Sequence, residues 1–136
     1  MEYNAEQRDA IKAMCSGEDK DIFYSILTLI GDKWSVMVMG TLGKKPARYT
    51  ELLDAVPGIS RRMLSVTLKQ LERNGLVERK AHASSQPWVE YCVTDLGRTL
   101  KDPAYAVAMW ALNNKDQIVE SRAAFDSQAT ALKAVS

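Results

Sequence analysis

The chain of 136 residues, 46% of them hydrophobic and 26% charged, has the length and composition of one globular domain with a real core, which excludes disorder and low-complexity structure over its body. Its net charge is only +1, but residues 44–80 carry nine Lys and Arg against four Asp and Glu, a net of +5, between two acidic ends. Such a basic segment indicates either a surface for a polyanion or a cluster of solvated charges.

The N-terminal part of the chain is predicted to form an arm and two helices. Residues 1–20 are polar and weakly periodic, and they form either a short amphipathic arm or a frayed end. Apolar residues then recur at helical spacing over 22–30, and Asp21 is predicted to cap that helix. A second helix is predicted over 32–43. It is apolar on most sides, which is typical of a buried helix.

Two shorter helices with a tight turn between them follow. Thr50 is predicted to cap the first, which ends before the turn of residues 56–59. Ser60 is predicted to cap the second, over residues 61–74. The apolar residues of this second helix are spaced at i, i+4 and i+7 and make one inward stripe: Leu64, Leu68 and Leu71.

After Gly75 the apolar period changes to two, which predicts a β-hairpin. Its strands are predicted over 76–80 and 88–94, and the polar residues 82–87 form the turn between them. A helix is predicted to restart at Asp95, and another at Asp102, where Pro103 takes the first helical position.

The C-terminal segment is predicted to be helical with a large apolar surface. Tyr105, Met109 and Trp110 either line an effector pocket or pack across a dimer interface, where aromatic residues are enriched. The alanine-rich residues 118–135 either extend the last helix or fray.

This order of elements is typical of a winged helix-turn-helix. The predicted fold class is therefore mainly α with a small β-wing (α+β), with dimerisation helices at both ends. Three parts are predicted: a polar arm over 1–20, a DNA-binding domain over 21–100 and a helical dimerisation segment over 101–136. The apolar residues of the first helix and of segment 103–132 exceed what one small winged core can bury, so both are predicted to make dimer contacts. The predicted partners are therefore double-stranded DNA and a second copy of the chain.

Helix 61–74 is predicted to enter the major groove, with the wing, residues 82–88, near the minor groove or the DNA backbone. Arginine can pair with guanine or clamp a phosphate, while serine and lysine can bind phosphates or single base groups. The candidate DNA-binding residues are Arg48, Thr50, Ser60, Arg61, Arg62, Ser65, Val66, Lys69, Arg73 and His82. The alternative is a winged-helix module that binds proteins, which the small net charge favours.

Five blocks together resemble the HxlR family of bacterial transcriptional regulators: GDKW at 31–34, RYTEL at 48–52, PGISRRML at 57–64, LKQLERNGLVER at 68–79 and VEYCVTDLG at 89–97. The blocks keep the family's order and spacing over about residues 21–112, and their combination is specific although each alone is weak. The resemblance implies a homodimeric winged-helix protein, related in fold to MarR regulators, that binds an inverted-repeat operator and more commonly represses.

The sequence departs from the family pattern in three respects. Residues 1–20 and the tail beyond Asn114 match no fixed family pattern. Members that sense oxidants carry a cysteine about fourteen residues before the tryptophan that matches Trp34, where this chain has Lys20. The nearest thiol is Cys15, which is either a sensor of a redox signal or a packing residue. In the wing, Trp88 replaces an arginine that the resemblance implies would bind phosphate, so wing contacts are weaker or involve stacking.

No enzyme, cofactor or membrane contact is predicted. His82 is the only histidine and has no cysteine nearby, so a zinc site or a Cys–His nucleophile pair lacks its residues. Cys92, predicted on the outer face of a wing strand, is a second thiol whose redox role stays open. The uncharged run 34–43 is well under the roughly 20 residues that span a bilayer, and no signal peptide is recognised. We therefore expect a cytoplasmic regulator that responds to a small-molecule or redox signal.

Overall fold

The first two thirds of the chain consist of short helices followed by an antiparallel hairpin. The structure, a computed structural model, describes residues 2–135; Met1 and Ser136, the ends of the predicted arm and C-terminal segment, lie outside the described residues. The chain divides into two compact units, Met1–Thr99 and Leu100–Ser136. The elements of the first unit are α1 (Ala5–Ser16), α2 (Lys20–Gly31), α3 (Lys33–Leu42), α4 (Tyr49–Ala55), α5 (Arg61–Arg73), β1 (Val77–His82), β2 (Trp88–Val93) and α6 (Asp95–Thr99).

The core of the first unit lies between α3, α4, α5 and the base of the hairpin. The predicted inward stripe of α5 is confirmed, since all three of its leucines are buried. They pack with residues that the neighbouring elements bury: Val38, Leu42, Leu52, Val56, Leu76 and Val77. Thr67 is also buried on α5, a polar position that the apolar stripe did not include.

An isolated β-bridge joins the hairpin to the helices. β1 and β2 pair antiparallel with Val77 opposite Val93 and His82 opposite Trp88. On the other edge of β2, Ala47 N donates to Tyr91 O at 3.0 Å and Tyr91 N donates to Ala47 O at 2.8 Å. Because Ala47 directly precedes Arg48, the N-cap residue of α4, this pair of hydrogen bonds fixes the start of that helix against the wing.

Three helix starts differ from the predictions. The helix predicted to be capped by Asp21 begins at Lys20, and Asp19 is its N-cap residue without a side-chain hydrogen bond. The helix predicted to begin after Thr50 begins at Tyr49, so Thr50 lies inside its first turn. The last helix begins at Lys101, not at Asp102. Asp102 therefore lies in its first turn, where a negative charge interacts favourably with the helix dipole.

The predicted cap of α5 by Ser60 is confirmed, and Asp32, at the predicted start of α3, also forms a cap. Asp32 caps α3, with its carboxylate accepting from Ser35 N at 3.0 Å and from Ser35 Oγ at 2.9 Å. Ser60 caps α5, with its hydroxyl oxygen accepting from Met63 N at 3.1 Å. Each satisfies donors that the first turn of a helix leaves unpaired.

The arm predicted over 1–20 contains a capped helix. Asn4 Oδ1 accepts from Gln7 N at 2.8 Å, and Gln7 Oε1 accepts from Asn4 N at 2.9 Å, which is a reciprocal capping box at the start of α1. The Tyr24 hydroxyl donates to Cys15 O at 3.0 Å and joins α1 to α2.

The second unit contains one long helix, α7 (Lys101–Val135), which continues through the alanine-rich stretch. Its large apolar side chains are mostly exposed: Tyr105, Val107, Met109, Trp110, Leu112, Val119, Phe125 and Leu132. Within the described residues no single helix is long and apolar enough to cross a membrane. The pair α2 and α3 passes that test jointly on length and composition, with a bend of 75° at the break between them.

Candidate nucleic-acid interface

Helix α5 turns one polar and basic face away from the core. Ser60 ends the preceding turn in extended conformation, and its cap starts the helix at Arg61. Because Leu64, Thr67, Leu68 and Leu71 are buried, a step of 100° per residue directs the side chains on the other side of the helix outward. The residues predicted near the outward face are all exposed: Arg62, Val66, Lys69 and Arg73. Arg61 and Ser65, predicted to lie to one side of that face, are exposed as well.

The cations of this face are free of carboxylate partners. Within residues 2–135, no ion pair involves any of the four: Arg61, Arg62, Lys69 and Arg73. Their charges are therefore not neutralised inside the chain. An exposed row of guanidinium and ammonium groups on one helix can donate hydrogen bonds to phosphate oxygens or to guanine.

The turn between α4 and α5 has the tight geometry that a helix-turn-helix requires. Val56 and Ile59 are buried on its two sides. Gly58 lies between them with φ +81°, a left-handed conformation that glycine adopts without strain. A side chain added at Gly58 would also lie 3.8 Å from Cη2 of Trp34, so the turn passes close to that indole.

Arg48 and Thr50 lie at the start of α4. Arg48 is the N-cap residue, with extended backbone, and its N–H donates to Glu51 Oε1 at 2.9 Å. This bond supplies one half of a capping box from the third helical residue. Thr50, predicted as the cap, is an exposed residue within the helix. Both residues are at the N-terminal end of α4 and are exposed to solvent.

Tyr49 joins the two helices of the motif and was not among the predicted site residues. Its hydroxyl donates to Arg61 O at 2.8 Å and lies 3.1 Å from Ser65 Oγ. These contacts fix the N-terminal turn of α5 against the start of α4. They also give the Ser65 hydroxyl a partner within the chain. This contact cannot be predicted from a local sequence pattern, because the partner residues lie 12 and 16 positions further along the chain.

Replacing Tyr49 with phenylalanine is expected to lower the free energy of unfolding by about 0.5–1.5 kcal/mol, the usual net value of one hydrogen bond. Urea unfolding followed by circular dichroism measures this change. Tyr3 is exposed and has no hydrogen bond in the described part of the chain, so Tyr3→Phe is the matched control and should stay within about 0.5 kcal/mol of wild type. Equal stabilities for the two variants would contradict the linking role of Tyr49.

His82 ends β1 and is not a residue of a solvated turn. Its Nε2 lies 3.0 Å from Glu90 Oε1, and its ring stacks on Trp88 with centroids 4.0 Å apart and planes at 17°. The turn itself is tightened by Ser84, whose Oγ donates to Gln86 O at 2.6 Å. The imidazole is thus held by neighbouring wing residues.

These features, a helix-turn-helix with an unpaired basic face and a two-stranded wing, agree with the relatives of the chain. The family model described as HxlR-like helix-turn-helix matches residues 29–119. The chain belongs to the HxlR family. The HTH-type transcriptional regulator YdeP of Bacillus subtilis (strain 168) is 35% identical to it over 98 residues, which are 72% of this chain and 77% of YdeP.

Solved structures of similar proteins support the same assignment. The transcriptional regulator YtfH from Salmonella typhimurium has 30% identity and a TM-score of 0.60, over 71% of this chain and 87% of that one. The reduced form of the transcriptional regulator YodB from B. subtilis has 32% identity and a TM-score of 0.61, over 65% of this chain and 86% of YodB. The predicted winged helix-turn-helix fold is therefore confirmed. This HxlR protein is a DNA-binding transcriptional regulator and not an enzyme.

The two thiols of this HxlR protein lie outside the basic face of α5. Cys15 is half-buried in α1, Cys92 is half-buried in β2, and both are free. Among the residues that the structure describes, no three His, Cys, Asp or Glu side chains come together as a metal site.

Proposed function

We propose that this HxlR-family regulator is a repressor that binds an inverted-repeat operator as a homodimer. The observation that carries the proposal is the exposed face of α5, whose four cations have no acidic partner in the described chain. In this proposal the N-terminal residues of α5 meet base edges in the major groove. Residues 82–88 of the wing lie near the minor groove or the backbone.

The contacts of the proposed complex are divided between base recognition and phosphate binding. Arg61, Arg62 and Val66 lie in the first two turns of α5, the part of a recognition helix that reaches base edges. Phosphate contacts position a protein on the duplex without reading its sequence. We assign this positioning role to the remaining candidates: Arg48, Thr50, Ser60, Ser65, Lys69, Arg73 and His82.

Binding to DNA is tested by fluorescence anisotropy with a duplex that the wild-type protein selects from a randomised pool. We expect saturable binding with two subunits per duplex. We also expect a steep loss of affinity with salt, because each phosphate contact releases counterions. A random-sequence duplex of equal length is the control. Equal affinity for both duplexes at every salt concentration would contradict sequence-specific regulation, and would favour a module that binds proteins.

The homodimer in this proposal is supported by the apolar side chains that α7 leaves exposed. Trp110 is 62% exposed and Leu112 is 65% exposed, and other large apolar residues continue along the helix. A helix of 35 residues gains most of its stability from packing an apolar face. A second copy of the chain is the partner that the two-fold symmetry of an inverted repeat requires.

Replacing Trp110 with lysine is expected to weaken dimerisation more than tenfold, because interface tryptophans often contribute 2 kcal/mol or more. Sedimentation equilibrium over a range of protein concentrations measures the dissociation constant. Ala108→Lys introduces the same charge at an exposed position nearly opposite Trp110 around the helix, and should leave that constant within about twofold. If both variants dimerise as wild type does, the interface lies elsewhere.

Control by a signal is part of the proposal. An oxidant or a small-molecule effector would shift the population between dimers whose recognition helices have competent and incompetent spacings. Cys15 remains the predicted sensor thiol, with Cys92 as the second. The anisotropy assay repeated with diamide on wild type, Cys15→Ser and Cys92→Ser tests both thiols. We further propose that the regulator acts in the cytoplasm, where a bacterial chromosome lies.

A further inference from the structure

Trp88 of the wing contacts two cationic or ionisable side chains. The Arg48 Cζ atom lies 4.2 Å from the centroid of the indole, within the range of a cation–π interaction. The His82 ring stacks on the same indole at 4.0 Å. β2 lies between β1, which carries His82, and the segment at Ala47, which directly precedes Arg48. The two groups therefore approach the indole from opposite sides.

Stacking leaves the hydrogen-bonding edge of Arg48 available. A guanidinium carries its five N–H donors in its own plane, so contact between its face and an aromatic ring uses none of them. Within residues 2–135, Arg48 forms no ion pair; its neighbour Glu51 accepts from its backbone N–H instead. The result is a charged, exposed donor group whose orientation is restricted by the indole.

Arg48 also lies where the wing meets the recognition helix. The next residue, Tyr49, contacts Arg61 O at the start of α5, while Arg48 itself contacts the wing. The major groove is about 12 Å wide, so the phosphate strands that flank a helix inserted in it run beside the start of that helix. With α5 inserted in the major groove, an arginine at this junction would face the backbone that borders the groove.

We propose that Trp88 is a positioning residue for DNA binding, which holds the guanidinium of Arg48 ready to bind a backbone phosphate at the junction of wing and recognition helix. This inference rests on the proposed function, since it assumes that α5 enters the major groove. The wing thereby contributes an aromatic surface, and the cation comes from the helix-turn-helix.

The other contacts of the wing support the indole itself. His82 is opposite Trp88 in the register of the hairpin, and its ring is held by Glu90 at 3.0 Å. The indole is thus packed between a hydrogen-bonded imidazole and the guanidinium. Both contacts use the ring surface of Trp88 on which a DNA base would otherwise stack.

A double-mutant cycle tests this role. Trp88→Leu removes the aromatic surface, and we expect a loss of about threefold to tenfold in affinity for the selected duplex, the cost of ordering one long side chain on binding. In an Arg48→Ala background the same substitution should change affinity less than about twofold. Trp88→Phe keeps an aromatic face and should restore binding to within about twofold of wild type.

The control cycle uses Arg79, an exposed arginine of β1 on the opposite face of the hairpin, where it pairs with Tyr91. The fold losses of affinity caused by Arg79→Ala and by Trp88→Leu should multiply in the variant that carries both substitutions. Thermal melting of each variant separates binding from folding. If the losses of Trp88→Leu and Arg48→Ala also multiply, the inference is wrong. A wild-type chain that binds neither the selected nor the random duplex overturns the proposed function, and this inference with it.

Discussion

Replacing Gly97 with alanine is expected to lower the free energy of unfolding of the first unit by about 1–3 kcal/mol, the usual cost of forcing an extra methyl group into a packed core. A Cβ atom at this position would overlap Leu76 O and would lie 2.7 Å from Val93 Cγ1. The first of these neighbours is backbone, so a side-chain rotation cannot relieve the overlap.

The backbone around Gly97 is held by several hydrogen bonds. Thr94 N donates to Leu76 O at 3.1 Å, and the Thr94 hydroxyl donates to Gly75 O at 2.5 Å while accepting from Gly97 N at 3.0 Å. Moving α6 outward to accommodate a methyl group would stretch these bonds. The substitution therefore acts on the junction between α5, the hairpin and α6 together.

Differential scanning calorimetry measures the effect as a fall in Tm of roughly 4–8 °C for each kcal/mol in a unit of this size. Gly40→Ala is the matched control, because Gly40 lies within α3 and an added Cβ meets nothing within 4 Å. Alanine there should raise stability by about 0.5–1 kcal/mol through helix propensity. A Gly97→Ala variant with the Tm of wild type would mean that α6 can detach from the hairpin without loss of stability.

Features of the fold that depend on local pattern were predicted well. The spacing of Leu64, Leu68 and Leu71 identified the buried side of α5, and the polar face followed from it by rotation. Ser60 was identified as a cap because a short hydroxyl side chain before an amphipathic run is a local signal. These inferences need only residues within about two helical turns of one another.

Helix starts were less predictable where the side chain of the N-cap residue makes no hydrogen bond to the first turn. At α4 the side chain of Glu51 bonds the backbone N–H of Arg48, while Arg48 has no side-chain acceptor for the return bond. A search for Ser, Thr, Asp or Asn therefore selects Thr50 instead. At α2, Asp19 is the N-cap residue without a side-chain bond, so its sequence signal is no stronger than that of Asp21.

The contacts that assemble the candidate site depend on the tertiary fold. Tyr49 meets Arg61 across 12 residues, and Arg48 meets Trp88 across 40. The stacking of His82 was nearer to prediction. The outer ends of the predicted strands pair residue 76 with residue 94. Extending that register by six residues puts His82 opposite Trp88, as the structure has it. Ending the first strand at residue 80 assigned the histidine to the turn.

Arg62→Ala is expected to weaken binding to the selected duplex by about 1–3 kcal/mol, and by unequal amounts across duplexes that differ at single base pairs. Arg62 is the second residue of α5, exposed and without an ion pair in the described chain. A bidentate pair with guanine would make the loss largest on duplexes that keep that guanine, and small where it is already replaced. Because the side chain is exposed, stability should change by less than about 0.5 kcal/mol.

Arg73→Ala is the matched control, since Arg73 is the same residue type at the far end of α5, roughly 16 Å along the helix axis at 1.5 Å per residue. Anisotropy over a panel of single-substitution duplexes, each at several salt concentrations, separates the two roles. A phosphate contact at Arg73 weakens all duplexes alike and lowers the salt slope by about one. If Arg62→Ala behaves in this way too, Arg62 is itself a phosphate contact. Base recognition would then fall to its exposed neighbours Arg61 and Val66, which share the first two turns of α5.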